Sequence, residues 1–225
     1  MDFSNKVLWV VNLFGLEVWV TETMLSTWII MAILIIAAVI LRIGLRKLEN
    51  QPGKLQNAVE AVVETFDGII RNTAGEEFEY LGSWFFMVFL FILTSNISGI
   101  FGLRPPTADW SVTIALAMVT FVLIQASGIV NRKWGYFKSF FQPIFIFFPL
   151  NIIGELSKPV SLSFRLFGNV LAGMILMSLV YSLPIYLRFV IPAALNVYFD
   201  LFTGAIQTYI FCVLSLTFIS GAATE

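Results

Sequence analysis

Three stretches of this chain, Thr23–Leu41, Leu81–Leu103 and Trp110–Asn131, carry no charged side chain. A helix needs about 20 mostly apolar residues to cross the hydrocarbon core of a bilayer, and each stretch meets that length. The whole chain follows the same bias. Of its 225 residues, 59% are apolar, 12% are charged and 23 are Phe, whereas soluble domains run near 45–50% apolar and about 25% charged. A compact soluble protein of this size could not bury so much apolar surface. The solvent is a bilayer. A net charge of -1 excludes a nucleic-acid binder held by bulk electrostatics. The single cysteine, Cys212, excludes an internal disulfide framework and a thiolate metal cluster. Without histidine, Ser-His triads and histidine proton relays are excluded, and neither a metal site nor a cofactor is expected.

The rest of the chain is less regular. Residues Ser139–Gly154 are uncharged, Glu155, Lys158 and Arg165 interrupt, and Leu166–Leu187 is uncharged again. Phe189–Phe199 and Leu201–Thr224 flank a lone Asp200. Segment 52–73 differs. Leu55, Val59, Val62, Val63, Phe66, Ile69 and Ile70 recur at helical spacing, with Glu60, Glu64 and Asp67 off the stripe. That pattern predicts an amphipathic helix on the membrane surface; a surface helix packed on a soluble partner is the other reading. The expectation is an all-α, multi-pass, single membrane domain over 1–225. Its helices are an upright span at 23–46, the surface helix at 52–73, upright spans at 80–103 and 109–131, and long segments at 139–183 and 189–222. About 45 residues is too long for one upright helix at 1.5 Å per residue. Either 139–183 is steeply tilted or bent, or it turns near Glu155–Pro159. The N-terminus lacks signal-peptide character, and no phosphate-binding Gly-Lys loop occurs.

Basic residues set orientation. Arg42, Arg46, Lys47, Lys54, Arg71, Arg132, Lys133 and Lys138 fall on one side; Lys6, Arg104 and Arg188 fall on the other. The richer side is expected in the cytoplasm, with the N-terminus outside and the C-terminus inside.

Ionisable groups at bilayer depth cost about 2.5–3.5 kcal/mol each on insertion scales. Glu155 and Lys158 can pair at i, i+3 or reach the headgroups, a structural role. Arg165 has no acidic residue close by in sequence. Lys158, Ser161, Arg165 and Asn169 share one helical face with Ala172/Gly173, and Asn196, Asp200, Thr203/Gly204 and Gln207 form a second stripe. Hydrogen-bond glue between helices, worth about 0.6 kcal/mol per bond, accounts for Ser161, Asn196 and Thr203. It does not account for a carboxylate and a guanidinium. A guanidinium keeps its proton at any reachable pH. In an ion path it is a fixed barrier that favours proton release from a nearby carboxylate. This chain has few membrane carboxylates of its own, which points to a partner that supplies one.

Residues Pro149 to Asn169, ending in Arg165-Leu166-Phe167-Gly168-Asn169 and followed by Ala172-Gly173, resemble the signature of subunit a of rotary ATP synthases. Thr94-Ser95-Asn96 and Pro106-Thr107-Ala108-Asp109 resemble shorter patterns of that family, and Gln207 falls where the family carries a glutamine on its last helix. The resemblance covers roughly 50–225. It implies a membrane stator beside a rotating ring of c subunits, joined by a b-type peripheral stalk to a soluble catalytic head. Ions enter by one half-channel, neutralise a c-subunit carboxylate, ride the ring and leave by another. Arg165 is implied as the separator, with Asn169, Asp200 and Gln207 in ion translocation. Glu155, Lys158, Ser161, Asn196 and Thr203 are channel-lining or structural candidates. The resemblance implies two long tilted helices at the C-terminal end. Where many relatives have a carboxylate or histidine after the Asn-x-x-Ala-Gly stretch, this chain has Met174, which leaves Asp200 as candidate sole relay of the outer half-channel. The chain is expected to be no enzyme alone, and to sit in a bacterial plasma membrane. Two other readings compete: a stand-alone secondary transporter with Arg165 as an anion site, and a non-conducting membrane scaffold.

Overall fold

The computed structural model describes residues 7–13, 16–45, 53–141, 144–182 and 191–224. Lys6, Arg46, Lys47 and Arg188, counted for orientation, lie outside the described residues, as do positions 46, 52, 142–143, 183 and 189–190 of the expected helices. The chain is a helical membrane protein, and among the described residues five helical segments are long and apolar enough to cross a bilayer.

A hairpin not foreseen from the sequence precedes the first span: strands β1 (Val7–Leu13) and β2 (Leu16–Thr21) pair antiparallel. The β-branched and aromatic residues Val7, Trp9, Val10, Trp19 and Val20 suit a pleated surface. Helix α1 (Glu22–Gly44) follows at once. It buries only Thr23, Ser26 and Ile30, while Ile33, Ile35, Ile36, Val39, Ile40 and Ile43 stay exposed. In a bilayer such an apolar exterior faces lipid or another chain.

Helix α2 (Lys54–Ala74) carries the amphipathic stripe, and the stripe divides. Phe66, Ile70 and Ala74 enter a core shared with Phe85, Leu216 and Ile219, and Ser220 Oγ donates to the Ala74 carbonyl at 3.1 Å. Leu55, Val62 and Val63 remain exposed. An Arg71–Glu79 ion pair ties the end of α2 to the 3₁₀ turn Glu76–Leu81. Both partners are largely exposed, so the pair contributes little stability. Helices α3 (Gly82–Ile97) and α4 (Trp110–Arg132) cross the bundle, with Asp109 capping α4 through the Ser111 N–H at 3.0 Å.

Helix α5 (Trp134–Ser139) is short and stands apart from α6 (Phe148–Val180), so the long helix begins nine residues later than position 139. The intervening 3₁₀ turn Phe145–Phe147 and a stacked trio of Phe141, Phe145 and Phe148 occupy the approach. At 33 residues, α6 is about 50 Å long against a hydrocarbon core of about 30 Å. The excess length needs tilt or bending. Glu155–Pro159 is not a turn: the helix runs on through Pro159, whose ring removes one backbone donor there. The last segment is α7 (Ile191–Asn196), a π-helical stretch Val197–Thr203 and α8 (Gly204–Thr224).

Polar side chains fasten these helices where lipid offers no partner. Asn96 on α3 donates to the Gly204 carbonyl at 3.1 Å and to Thr208 at 3.4 Å, and accepts from Thr107 at 2.8 Å. Thr23 donates to Asp109 at 3.1 Å, joining α1 to the start of α4. Thr113 and Ser163 meet at 3.3 Å between α4 and α6. Around them pack Val88, Ile92, Ala117, Leu162, Leu166 and Phe211.

The Asn96 junction depends on the bare backbone of Gly204, where an added Cβ would lie 2.8 Å from Asn96 Cβ. Gly204→Ala is therefore expected to lower stability by about 1–3 kcal/mol through overpacking. Gly221 has nothing within 4 Å of its Cβ position, so Gly221→Ala should stabilise by about 0.5–1 kcal/mol through helix propensity. Thermal denaturation of the purified protein in detergent checks the pair. Equal shifts would show that the α3–α8 contact is looser than described.

Candidate functional site

The site is built where α6 passes the last helical segment. Asn169 on α6 donates to Gln207 Oε1 on α8 at 3.4 Å. A cavity of about 20 Å³ beside this contact is bounded by Asn96, Asn169, Asp200 and Gln207, with Phe199, Gly173 and Gly204 completing its wall. That volume suits about one water molecule, and the polar lining supplies the partners one needs. Gln207 is 5% exposed, and its Nε2 has no hydrogen-bond partner among the described residues.

Asp200 opens on the other side into a cleft of about 820 Å³. The π-helical stretch Val197–Thr203 sets its direction by widening the turn locally. Its carboxylate packs on Gly99, where Oδ2 would stand 2.7 Å from an added Cβ. Asn196 lines the same cleft, and so does Met174. Two charged groups that the sequence reading did not place there, Glu22 at the start of α1 and Arg104 in the loop after α3, line it as well. Asp200 is thus not the only carboxylate of this cleft. No periodicity argument could have brought Glu22 there, because it belongs to a different helix.

A second cleft, about 670 Å³, lies at the opposite end of α6. Glu155 and Lys158 line it together with Arg132, Tyr136, Asn151 and Phe218. Lys158 Nζ donates to Glu155 Oε1 at 2.5 Å as an i, i+3 pair. Outside the spanning segments, Tyr136 is a phenol whose pKa is pushed up to about 12, first by burial and then by the negative charge of Glu155.

Arg165 stands between the clefts along α6. The second cleft touches α6 up to Lys158, and the first from Val170 onward. The intervening 11 residues span about 16 Å of helix. The Arg165 side chain is exposed, in neither cleft, and forms no hydrogen bond or ion pair with any described residue. Ser161, one turn away, is also exposed. Thr203 is partly buried within the π-helical stretch. The structure therefore gathers Asn169, Asp200, Asn196 and Gln207 at one end and Glu155 with Lys158 at the other. It leaves Arg165 and Ser161 on the outer flank of α6.

Comparison with known proteins gives a consistent result. Residues 24–220 match the sequence model of the family described as ATP synthase A chain. The sodium ion specific ATP synthase subunit a of Propionigenium modestum is 36% identical over 224 residues, covering 90% of this chain and 74% of that protein. ATP synthase subunit a of Moorella thermoacetica is 37% identical over 203 residues, covering 88% of this chain and 89% of its own. ATP synthase subunit a 1 of Hahella chejuensis is 34% identical over 205 residues, covering 91% and 85%.

The geometry makes a prediction about water access. In a chain carrying Cys212→Ser, a cysteine replacing Asp200 should react readily with a charged, water-soluble thiol reagent. One replacing Gln207 should react far more slowly, since it sits behind the small cavity. Equal labelling rates would show that the cavity opens freely to the cleft.

Proposed function

The chain belongs to the ATP synthase A chain family, a membrane-sector subunit of ATP synthase, and from that premise we propose that it is the stator through which ions reach and leave the c-ring. The cleft at Asp200 is the outer half-channel, and the cleft at Glu155 is the inner one. Arg165 separates them. Asn169 and Gln207 hold water between Asp200 and the helix crossing.

The observation that carries this reading is Arg165 on the exposed flank of α6, unpartnered among the described residues, with a cleft that holds charged side chains ending on either side of it. A permanent cation in hydrocarbon needs a counter-charge, and within the described residues the chain offers none. A carboxylate on the rotating ring meets that need. As each ring carboxylate passes, the guanidinium favours its ionised form. A loaded carboxylate must unload to one cleft before it can pass and reload from the other. The same fixed charge repels a cation trying to cross directly from cleft to cleft.

Orientation follows from the loops: Arg132 lines the Glu155 cleft and Lys133 and Lys138 follow it in sequence, so the positive-inside rule places that end in the cytoplasm. The N-terminal hairpin is then outside. A potential of 100 mV supplies about 2.3 kcal/mol per elementary charge. Several ions are needed per ATP, which a rotating ring accumulates. A b-type stalk and a soluble head complete the assembly, in a bacterial plasma membrane. The P. modestum relative is sodium ion specific, so experiments on this chain are run with both H⁺ and Na⁺.

Two outcomes are expected. In reconstituted complex, Arg165→Ala abolishes ATP-driven ion pumping while assembly persists, and passive ion leak rises once the soluble head is stripped. Coupled pumping at the normal rate would overturn the half-channel reading in favour of a scaffold. Asp200→Asn, which keeps shape and loses charge, should slow ion entry from the outer side with the complex intact. Unchanged pumping at limiting driving force would remove Asp200 from the path.

A further inference from the structure

The second cleft contains a hydrogen-bonded chain that spans three helices. Tyr136 on α5 donates its hydroxyl to Gln125 Oε1 at 2.6 Å. Gln125 on α4 donates through Nε2 to Glu155 Oε2 at 3.2 Å. Lys158 donates to the other carboxylate oxygen, and its ammonium lies 5.6 Å over the Phe218 ring of α8. Both Glu155 oxygens are thereby held, and its side chain keeps 23% exposure.

Helix adhesion alone does not call for this arrangement. An isolated i, i+3 pair contributes about 0.2–0.5 kcal/mol. Burying most of a carboxylate costs more than that unless further donors compensate. Here the further donor, Gln125, comes from α4 and is itself held by Tyr136 of α5, which fixes Glu155 in one direction. The Tyr136 ring lies against the Gly128 backbone of α4, where an added Cβ would meet it at 2.5 Å. The neighbouring Lys133, at φ 51°, turns the chain from α4 into α5 and so brings Tyr136 back over α4. The charged and titratable groups around Glu155 are Lys158 on its own helix, Arg132 on α4 and Tyr136 on α5. Among the residues of α8 that line the cleft, Thr217, Phe218, Gly221 and Ala222, none is charged. Tyr136, with its raised pKa, remains a neutral hydroxyl donor at any working pH.

We propose that Glu155 is the transient acceptor for the translocated cation at the throat of the inner cleft, with Gln125 and Tyr136 as its positioning residues. The proposal rests on the half-channel reading above and names the inner port within it. Ten residues separate Glu155 from Arg165, about 15 Å along the helix. A cation released beside Arg165 enters this cleft and meets Glu155 on its way out. If the cation is a proton, it is passed from the partner's carboxylic acid through cleft water to a Glu155 oxygen. That O–H bond then breaks as the proton leaves to bulk water, and the carboxylate is restored. If it is Na⁺, the same oxygens replace part of its hydration shell and no bond is made or broken. Between passages Lys158 and Gln125 hold the two carboxylate oxygens.

The test uses the complete ATP synthase complex in vesicles, with H⁺ and Na⁺ conduction measured after removal of the soluble head and ATP-driven pumping measured before it. Glu155→Gln is expected to lower the maximal conduction about 10-fold with assembly unchanged, below the 10²–10⁴-fold typical of a positioned proton-transfer group because cleft water offers a bypass. Glu155→Asp should recover most of the rate. Tyr136→Phe, which keeps the ring and loses the hydroxyl, should raise the half-saturating ion concentration more than it lowers the maximum. Which ion shows these effects identifies the cation. Arg165→Ala is measured in parallel. If it uncouples while Glu155→Gln conducts at the normal rate, the port is overturned and the half-channel reading stands. If Arg165→Ala stays coupled, the half-channel reading itself fails. Should Glu155→Gln prevent assembly, Tyr136→Phe decides: an unchanged half-saturating concentration overturns the port.

Discussion

Asn96 holds the membrane bundle at one point from which the rest of the arrangement follows. Its amide donates to α8 and accepts from Thr107 before α4. In water such bonds exchange with solvent at little net gain. In hydrocarbon the unpaired groups have no alternative partner. The contact requires Gly204 to approach without a side chain, so the α3–α8 distance is short. Gln207 lies three residues further along α8 and Asp200 four residues back. Their positions relative to Asn169 are therefore set by the Asn96 junction. The small cavity between them includes Asn96 in its wall.

The electrostatic design is asymmetric. Where charges of this chain lie within or beside the clefts, they have company: Glu155 has Lys158 and Gln125, and Asp200 shares its cleft with Glu22 and Arg104. Arg165 has none among the described residues. A side chain that satisfied it from within would make it a structural ion pair. On the proposed reading its counter-charge is an outside carboxylate that comes and goes with a moving partner. Its neighbours on the exposed flank, Val160 and Phe164, are apolar and suit contact with another membrane helix.

Much of the fold was legible because bilayers demand long apolar runs. Spans α1, α3 and α4 follow uncharged stretches, and the α2 stripe follows from 3.6-residue periodicity. The short motifs around Asn96 and Thr107 looked unrelated in sequence, 11 residues apart, and they meet by a hydrogen bond. The start of α6 was less legible. Residues 139–147 are as apolar as the helix itself, and no composition change marks Phe148. The N-terminal hairpin was also missed, since its residues read equally well as the lead-in to a span. The π-helical turn had no sequence signal, and it changes the phase of the Asn196–Gln207 stripe that uniform α periodicity would draw.

The sequence by itself determined the solvent, the helical class, the number of apolar segments and the motif around Arg165. Hydropathy and local spacing are properties of the chain, and they survive without knowledge of neighbours. Only the tertiary structure decided which polar groups share a space. It put Glu22 in the cleft of Asp200, joined Gln125 and Tyr136 to Glu155, and left Arg165 on an outer face. Those outcomes depend on helix crossings and close backbone approaches between residues about 10 to 180 positions apart. A one-dimensional pattern has no term for such distances, because burial and pairing are properties of packed surfaces.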